Sequence, residues 1–583
     1  MRVTLGTALL SLAAGVFATT PAVGVQPTVG LIMNDGRASE GYVLFGPPST
    51  QNVYLLSNDG LQVHVWNTGR YPGEMGYLLE NGHLLRAGVD PDFDPRFNGG
   101  IGRGGFVEEY DWDGNLLWTF RYSDSLRLAH HDIEPLPNGN VLVVAWEYKT
   151  RAQAIAAGRN PASVPTALWP DHVIEVRPTP PSGGEIVWEW HLWDHLVQAF
   201  DPTKPNFGVP ADHPELVDLN YAVHAGEDWN HVNTVRYDPL FDQIILCSRY
   251  FFEFWVIDHG TTTELAAGHT GGRYGKGGDI LYRWGNPLTY RRGTPADVRL
   301  FHPHDAQWIA TGVPGAGHIL VFNNGTGRPG GDYSSIDEIV PPVDANGNYS
   351  ILPGSPFGPA SAVWSYTATP PTDLYSVFMS GTQRQPDGNT LICVGTGGTF
   401  LEVTPDKAVV WKYVNPMRET GPIRQGDPPT GNNVFKIRRY APDYPGIVGR
   451  TLTPSDPIEG FDRPFPIPDG SLLASRASYS GDQVQLNYNA SECPTNDYNL
   501  IFGNLADVSS YALLGAQCSI GTGGSYLWTG VPAASVYFIV VGRDETGVYE
   551  SSWGRNSSAG ERHGTRASFL CGTVTKVVTS TCP

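Results

Sequence analysis

Histidines recur at the start of strand-like segments in this chain. His130 and His131 stand in "HHDIEPLPNGNVLV", His231 in "EDWNHVNTVRYDP", and His302 and His304 in "LFHPHDAQWIA". An imidazole titrates near neutral pH, so it serves as a general acid or base, a nucleophile or a metal ligand. The chemistry open to these residues is proton transfer, group transfer or metal binding.

Amides and a guanidinium follow the histidines along the chain. Asn323, Asn324 and Arg328 stand in "VFNNGTGR", and Gln383 stands in "SGTQRQPDGN". Arginine offers planar, bidentate donors, so this combination suits a small oxyanion such as a phosphoryl or sulfuryl group.

Two other interpretations of the histidines remain open. Asp132 and Asp305 each adjoin a histidine, and three imidazoles with one of these carboxylates suit zinc or a similar ion. Each aspartate can equally orient its neighbouring imidazole. Any single histidine in a β-rich core can also be structural, bonded to a backbone carbonyl.

The elements that must position these side chains form a repeat. Polar or Gly-containing turns lead into apolar strands in "LLENGHLLRAG", "PLPNGNVLVVAW", "GVPGAGHILVFNNG" and "RQPDGNTLICVG". A short aromatic strand also recurs six times between about Gly41 and Pro416. Its tryptophans are Trp66, Trp118, Trp188, Trp284, Trp364 and Trp411.

Six units of short antiparallel strands predict a six-bladed β-propeller over residues 25–455. One unit cannot bury both of its faces alone, so the blades must stack. The innermost strand of each blade lines a central channel. The histidines of three successive units should therefore meet near one mouth of that channel.

Composition agrees with an all-β protein and excludes one class of partner. The 583 residues include 69 Gly, 48 Pro and only 16% charged residues, as suits many tight turns. The formal net charge is −20, and no basic stripe is present. A phosphate backbone would be repelled, so nucleic acid is not expected as a partner.

The first residues resemble a cleaved secretory signal. One Arg precedes an apolar run from Leu5 to Ala18, followed by small residues, which predicts a signal peptide over 1–24. The run is short for a membrane span. We expect a secreted, periplasmic or extracellular protein with no membrane span after cleavage; an uncleaved anchor is the alternative.

The tail differs from the repeat. A Pro-rich linker is predicted over 456–475, followed by a β-sandwich of fibronectin or immunoglobulin type over 476–583. Cys493, Cys518, Cys571 and Cys582 suggest two disulfides with three pairings open, whereas Cys247 and Cys393 are expected to be buried thiols. Stability, surface attachment and carbohydrate contact are the roles open to this domain.

The histidine motifs resemble the bacterial arylsulfotransferases that do not use an adenosine phosphosulfate donor. The similar segments are "HHDIEPLPNGNVLV", "DWNHVNTVRYDPLFDQIILCSR", "FHPHDAQW", "ILVFNNGTGR" and "QRQPDGNTLICVGTGG", spread over most of residues 76–416. The resemblance implies a six-bladed propeller and an exported enzyme that moves a sulfuryl group from a phenolic sulfate ester to another phenol. It implies a ping-pong route through a sulfated histidine and no cofactor.

The resemblance carries roles onto particular residues. It implies that His231, His304 and Arg328 bind the sulfuryl oxygens and stabilise charge in transfer, with His131 beside them. Substrate contacts are expected from His130, His302, Asn323, Asn324, Gln383 and Thr399.

The sequence departs from the family at one position. The family's sulfated histidine follows a glycine pair in the last blade, where this chain reads "CVGTGGTFLEVTP" and Thr399 falls near the expected place. No histidine occurs between His318 and His563. If the nucleophile is lost, His231, His304 or His131 can substitute, or transfer or hydrolysis proceeds directly. A non-catalytic binding scaffold and a metal-dependent hydrolase or lyase are the alternatives.

Overall fold

The protein folds into two compact units that consist almost wholly of antiparallel β-sheet. The computed structural model describes residues 26–221, 224–468, 470–580 and 582. The predicted signal peptide, residues 1–24, lies outside the described residues. One unit covers 27–461 and the other covers 462–583. The prediction of an all-β protein is confirmed.

Six antiparallel sheets of four or five strands build the first unit, numbered here in chain order. Sheet 1 contains Tyr42–Phe45, Asn52–Ser57, Gln62–Asn67 and the late strand Arg438–Tyr440. Sheet 2 contains Pro72–Leu78, Leu84–Val89, Gly105–Tyr110 and Leu116–Arg121. Sheet 3 contains Arg127–Pro135, Val141–Glu147, Asp171–Pro178 and Gly184–His191.

The remaining three sheets follow the same meander. Sheet 4 contains Val232–Asp238, Gln243–Ser248, Glu253–Asp258 and Tyr282–Trp284. Sheet 5 contains His304–Trp308, Ile319–Asn323, Ser335–Ile339 and Trp364–Tyr366. Sheet 6 contains Ser380–Arg384, Thr390–Val394, Thr399–Val403, Val409–Val414 and the early strand Gly30–Asn34.

Both repeated sequence elements take up equivalent places in these sheets. The six predicted tryptophans each lie in the fourth strand of a sheet in the order 1 to 6. The Asn-Gly turn at Gly139, with φ of +83°, joins the first two strands of sheet 3. A left-handed φ of this kind favours glycine and reverses the chain tightly.

Apolar cores lie between successive sheets. One core joins sheets 3 and 4 and includes Trp188, Trp190 and Trp255, all buried. Comparable cores join sheets 1 and 2, 2 and 3, 4 and 5, and 5 and 6. The first strands of sheets 2 to 6 contact one another in sequence order. These five strands therefore lie side by side in sequence order.

Short elements complete this unit. Two α-helices span Arg151–Ala156 and Thr263–Ala266. Two-stranded pairs join Lys149–Thr150 to Ala167–Leu168, Leu196–Val197 to Val217–Asp218, and Met417–Arg418 to Gly421–Pro422. Its 3-10 turns are Pro95–Phe97, Pro161–Ser163, Leu192–Asp194, Pro210–Asp212, Pro287–Tyr290, Pro295–Asp297, Pro371–Asp373 and Gly395–Gly397. No helix in the described part of the chain is long and apolar enough to cross a membrane.

The second unit contains two sheets and both disulfides. One sheet contains Leu473–Arg476, Gln483–Asn487 and Ser525–Thr529; the other contains Asp497–Asn504, Gly515–Gln517, Val536–Arg543, Tyr549–Ser551 and Thr575–Val577. A 3-10 turn spans Leu505–Asp507. Cys493 pairs with Cys582 and Cys518 with Cys571, which confirms two disulfides. Cys247 and Cys393 are buried free thiols, as predicted.

Candidate active site

Histidines lie on or directly before the first strands of three neighbouring sheets. His131 lies in the middle of Arg127–Pro135, because this strand begins earlier than the sequence predicted. His231 directly precedes Val232–Asp238, and His304 begins His304–Trp308. A register shift interrupts each of these strands near its histidine. The φ angles of His131 and His231 are both +53°, a conformation that costs a non-glycine residue free energy and is enriched at functional sites.

Four of the predicted histidines lie close together and are linked by contacts between aromatic rings. The ring centroids of His131 and His231 are 4.5 Å apart, and His231 lies 5.0 Å from the ring of Tyr250. The same Tyr250 ring lies 6.1 Å from that of His302. Phe435 contacts both His131 and His304, with centroid separations of 5.9 and 6.4 Å. We call His131, His231, His302 and His304 the histidine cluster.

A buried chain of three groups ends at His131. Oδ1 of Asp171 lies 2.7 Å from Nε2 of His130, and Nδ1 of His130 lies 2.7 Å from Nδ1 of His131. The other oxygen of Asp171 accepts the backbone N–H of Val232 at 2.7 Å and the side-chain amide of Asn230. His130 also stacks on Trp146, with centroids 4.0 Å apart. His130 therefore acts on the cluster through His131.

His231 forms a carboxylate–imidazole dyad. Its Nδ1 lies 2.5 Å from Oδ2 of Asp228, whose other oxygen accepts the indole N–H of Trp146 at 3.1 Å. Burial alone would raise the pKa of Asp228, but the charge and hydrogen bond of His231 lower this pKa overall. A carboxylate on Nδ1 fixes the tautomer, so Nε2 of His231 carries the lone pair.

His304 is held at both ring nitrogens. Its Nδ1 lies 2.7 Å from Oδ1 of Asn324, and its Nε2 accepts the backbone N–H of Met379 at 3.2 Å. Asn324 is itself fixed, because its side-chain amide donates to the carbonyl oxygen of Ser376 at 2.7 Å. With neither nitrogen free, His304 is less suited to nucleophilic attack than His231.

Burial lowers the pKa of several of these histidines. Burial and then the neighbouring imidazoles lower the pKa of His131 well below its ordinary value. Burial and the positive charge of Arg249 do the same for the pKa of His304 and lower the pKa of His302 to about 3. Burial likewise lowers the pKa of His130 to about 3. Neutral imidazoles at pH 7 retain a lone pair for proton or group transfer.

Arg249 is a functional candidate that the sequence interpretation missed. It lies just beyond the strand Gln243–Ser248, its backbone N–H donates to the carbonyl oxygen of His231 at 2.9 Å, and its guanidinium carbon is 4.9 Å from the centroid of Tyr250. Its Nε is buried with no hydrogen-bond partner among the described residues. The signal available in the sequence was its position at the end of "DQIILCSR".

The aspartates next to the histidines belong to a different group. Nζ of Lys436 lies 2.9 Å from Asp132 and 3.1 Å from Asp305, and Arg236 lies 2.9 Å from each of these carboxylates. Lys436 also donates to the hydroxyl of Thr234 at 2.9 Å. We call Asp132, Arg236, Asp305 and Lys436 the ion-pair cluster. Neither aspartate orients an imidazole, and both are saturated by cations, so they are unsuited to hold a metal beside the histidines.

Several predicted site residues form their hydrogen bonds with groups outside the histidine cluster. Asn323 accepts the backbone N–H of Phe301 at 2.9 Å, and Gln383 exchanges hydrogen bonds with the backbone of Arg439. The side-chain hydroxyl of Thr399 donates only to the carbonyl oxygen of Gly397 within the described chain. Arg328 donates to Ser335 at 3.2 Å and lies over the ring of Tyr333. Catalytic or substrate-binding roles for these four stay predictions.

The sequence and the fold were compared with those of known proteins. A family model described as Arylsulfotransferase (ASST) matches residues 94–269. Arylsulfate sulfotransferase AssT of Escherichia coli O6:H1 is 24% identical over 325 residues, which are 50% of this chain and 49% of that protein. The chain thus spans about half the length of this curated relative.

Two solved structures align with parts of the chain. A protein of unknown function from Bacteroides caccae aligns with a TM-score of 0.37 and 11% identity, covering 69% of this chain and 99% of that one. The β-propeller domain of Cps50 (Swd1) from Myceliophteria thermophila aligns with a TM-score of 0.32 and 10% identity, covering 66% and 89%. The family model and the curated relative are both described as arylsulfotransferases, and this chain is similar to them over half of its length or less.

Proposed function

We propose that the protein is an exported aryl sulfotransferase that moves a sulfuryl group from a phenolic sulfate ester to a phenolic acceptor. One observation carries the proposal. Burial and the charge of Arg249 lower the pKa of His302 and His304, and the Nε of Arg249 is buried and has no partner among the described residues. An unpaired buried donor costs free energy unless a ligand accepts from it, and an oxyanion is the ligand that fits.

The proposed architecture is a six-bladed β-propeller over about 25–455, with sheets 1 to 6 as its blades. Stacked cores and the sequential contact of the first strands support it. The strands Gly30–Asn34 and Arg438–Tyr440 bring the chain ends of this unit into sheets 6 and 1, as ring closure requires. We place the histidine cluster at one mouth of the channel.

The donor ester would bind with its sulfuryl oxygens against Arg249 and His302. Nδ1 of His302 is buried without a hydrogen-bond partner in the described structure, so it is available to such an oxygen. Tyr250 and Phe252 contact the ring of His302, with centroids 6.1 and 4.5 Å away. These aromatic side chains would pack against the phenyl group of the donor or acceptor.

His231 is the proposed nucleophile in place of the family's late histidine. Its Nε2 lone pair attacks sulfur, an N–S bond forms, and the S–O bond to the aryl group breaks. Asp228 on Nδ1 stabilises the positive charge that develops on the ring. In the second half-reaction the acceptor phenol attacks sulfur, the N–S bond breaks, and neutral His231 returns.

The chain Asp171–His130–His131 is the proposed proton donor to the departing phenolate. Burial and the charge of Asp228 raise the pKa of Asp171 well above its ordinary value, and the proton donor proposed here is the protonated form of Asp171. Nε2 of His131 gives its proton to the leaving oxygen, Nδ1 of His131 takes one from His130, and His130 takes one from Asp171. The acceptor phenol returns its proton along the same path, and no buried imidazolium forms.

The two disulfides of the second unit support export, because such bonds persist in oxidising compartments. We propose that residues 476–583 form a β-sandwich, since Leu486, Leu500 and Trp528 from its two sheets share one core. Surface or carbohydrate attachment is the role proposed for this domain.

The experiment that tests the function is nitrophenol release from 4-nitrophenyl sulfate, with and without added phenol. We expect release that depends on phenol and falls at least about 100-fold in His231→Ala. His83→Ala is the matched control, since His83 also pairs with a carboxylate, Glu109 at 2.7 Å, outside the cluster. Intact-protein mass after donor alone should show one added sulfuryl group, absent in His231→Ala.

Three outcomes would contradict the proposal. Release that does not depend on phenol indicates hydrolysis rather than transfer. Equal loss in His231→Ala and His83→Ala would remove the assigned role of His231. No release by the folded protein across a panel of aryl sulfates would leave the binding scaffold as the better account.

A further inference from the structure

A second histidine–carboxylate group lies away from the histidine cluster and takes no part in the proposed reaction. His195 follows the turn Leu192–Asp194 after the last strand of sheet 3. His269 and Asp279 lie in the long connection between the last two strands of sheet 4, which includes the glycine-rich segment "GGRYGKGGD". One ligand atom from each of the three lies within 4.8 Å of the other two.

The two ring nitrogens of His195 face different partners. Nε2 lies 2.9 Å from the carbonyl oxygen of Ala266, which only accepts, so Nε2 carries a proton. Nδ1 lies 2.8 Å from Oδ1 of Asp279. The side chain of His195 is fully buried, so its ring is held between these two partners.

The arrangement of these atoms suits a metal ion. Metal-bound imidazoles regularly donate their other N–H to a backbone carbonyl, which fixes the tautomer, and Ala266 supplies that acceptor here. His269 contributes a second imidazole, with Nδ1 2.7 Å from the same oxygen of Asp279. We propose that His195, His269 and Asp279 bind one divalent transition-metal ion, a site independent of the sulfuryl-transfer function.

The ligand set favours zinc. Two imidazole nitrogens and one carboxylate oxygen are typical zinc ligands, and a water molecule completes a tetrahedron. A bond length of about 2.0 Å separates tetrahedral ligand atoms by roughly 3.3 Å, so the side chains must open by about half an ångström. The side chain of His269 is 56% exposed, so it can move outward and gives the ion and water a path of entry.

The surroundings hold the buried half of the site in place. The ring of His195 stacks on Trp190, with centroids 5.5 Å apart, and the indole N–H of Trp190 donates to the carbonyl oxygen of Gly278 at 2.8 Å. A Cβ on Gly278 would come within 2.0 Å of the carbonyl oxygen of Ala266 and 2.8 Å of Nε2 of His195. The glycine therefore permits the close approach that brings Asp279 to His195. The ion would fasten the glycine-rich connection of sheet 4 to sheet 3.

The test is zinc binding by the full chain after dialysis against a chelator. The stripped protein is incubated with zinc chloride and desalted, and zinc per chain is measured by mass spectrometry; cobalt(II) substitution adds an absorption spectrum that reports tetrahedral geometry. We expect one zinc per chain and a higher melting temperature with zinc. His269→Ala, at an exposed position, should lose at least nine tenths of the bound zinc and the thermal shift.

Controls separate this site from the rest of the molecule. His83→Ala removes another partly exposed imidazole and should retain the zinc, as should His231→Ala in the histidine cluster. Asp279→Asn should lose zinc as His269→Ala does. The proposal is overturned if the stripped wild type takes up no zinc at micromolar concentration, if His269→Ala retains it, or if His231→Ala loses it. Sulfuryl transfer is measured separately, and its absence leaves the zinc result unaffected.

Discussion

The histidine cluster and the ion-pair cluster use adjacent residues of the same strands, yet they differ in how completely their polar groups are paired. His131 precedes Asp132, and His304 precedes Asp305. Asp132 and Asp305 each contact two cations, and the pKa of Asp305, which burial alone would raise, is lowered by Lys436 and Arg236. The histidine cluster keeps unpaired nitrogens next to an unpaired guanidinium nitrogen.

The difference separates two uses of buried polar groups. In the ion-pair cluster each charge has an opposite partner, although Nε of Arg236 has no hydrogen bond in the described structure. Removal of one charge leaves another uncompensated, so the contribution of this cluster is measured as stability. An unsaturated cluster costs free energy in the absence of a ligand, and that cost is recovered when a ligand binds. We therefore expect substitutions in the ion-pair cluster to unfold the protein and substitutions in the histidine cluster to alter its reaction.

The largest expected effect is on stability, from Lys436→Met. The change removes the charge shared by Asp132 and Asp305, and breaking a buried ion pair from one side costs about 3–5 kcal/mol. The urea concentration at the unfolding midpoint of the first unit, measured by tryptophan fluorescence, should fall accordingly. Lys412→Met is the control, at a partly exposed lysine of sheet 6, and should shift the midpoint little. Equal shifts in the two variants would refute the distinction between the clusters.

Asp228→Asn should affect the reaction rather than the fold. An asparagine amide facing Nδ1 no longer holds the lone pair on Nε2 of His231, so kcat should fall about 100-fold or more. The matched control is Asp242→Asn, because Asp242 also pairs with a histidine, His259, at 2.7 Å. Its kcat should stay within about threefold. A kcat near wild type in Asp228→Asn, with unchanged melting temperature, would exclude His231 as the nucleophile.

The rate loss in Asp171→Asn should depend on the leaving group of the donor ester. The amide still hydrogen-bonds to His130 but passes no proton, so the donor chain to His131 is interrupted. In the first half-reaction, phenyl sulfate, whose phenolate leaves poorly, should lose about 30-fold in rate, whereas 4-nitrophenyl sulfate should lose less than about threefold. A simple loss of structure would lower both rates equally, and that result would argue against proton delivery by this chain.

Local sequence signals predicted the strands well. Asn-Gly turns and recurring tryptophans identify the fourth strand of each sheet, because turn geometry and side-chain burial are properties of short segments. The buried state of Cys247 and Cys393 followed in the same way from apolar surroundings in the sequence.

Contacts between distant segments were not accessible in this way. Arg438–Tyr440 joins sheet 1, and Gly30–Asn34 joins sheet 6, across nearly the whole unit. Lys436 reaches Asp132 over 304 residues of sequence, so nothing near either residue indicated the ion-pair cluster. Arg249 differs, because its motif was recognised and only its role was missed. Pairing of buried polar groups depends on the assembled sheets, whereas a turn or an amphipathic strand does not.

The last expected effect vanishes near neutral pH and is the acid sensitivity of a single imidazole. Burial and Arg249 lower the pKa of His302 to about 3, so folded His302 stays neutral while unfolded His302 gains a proton below about pH 6.5. Since the unfolded state binds more protons, stability falls as pH drops from about 6.5 towards 3, by about 1.4 kcal/mol per pH unit for this residue. In His302→Asn, the free energy of unfolding should depend on pH less steeply by that amount.

The measurement is urea unfolding at several pH values between 4 and 7 in wild type and His302→Asn. Asp305 has a lowered pKa, so its stabilisation persists until the pH falls below the ordinary aspartate range near 3.9. The two clusters thus lose stability in separate windows, the histidines first and the ion pairs at lower pH. Identical slopes in wild type and His302→Asn between pH 4 and 6 would mean that His302 is charged in the folded protein.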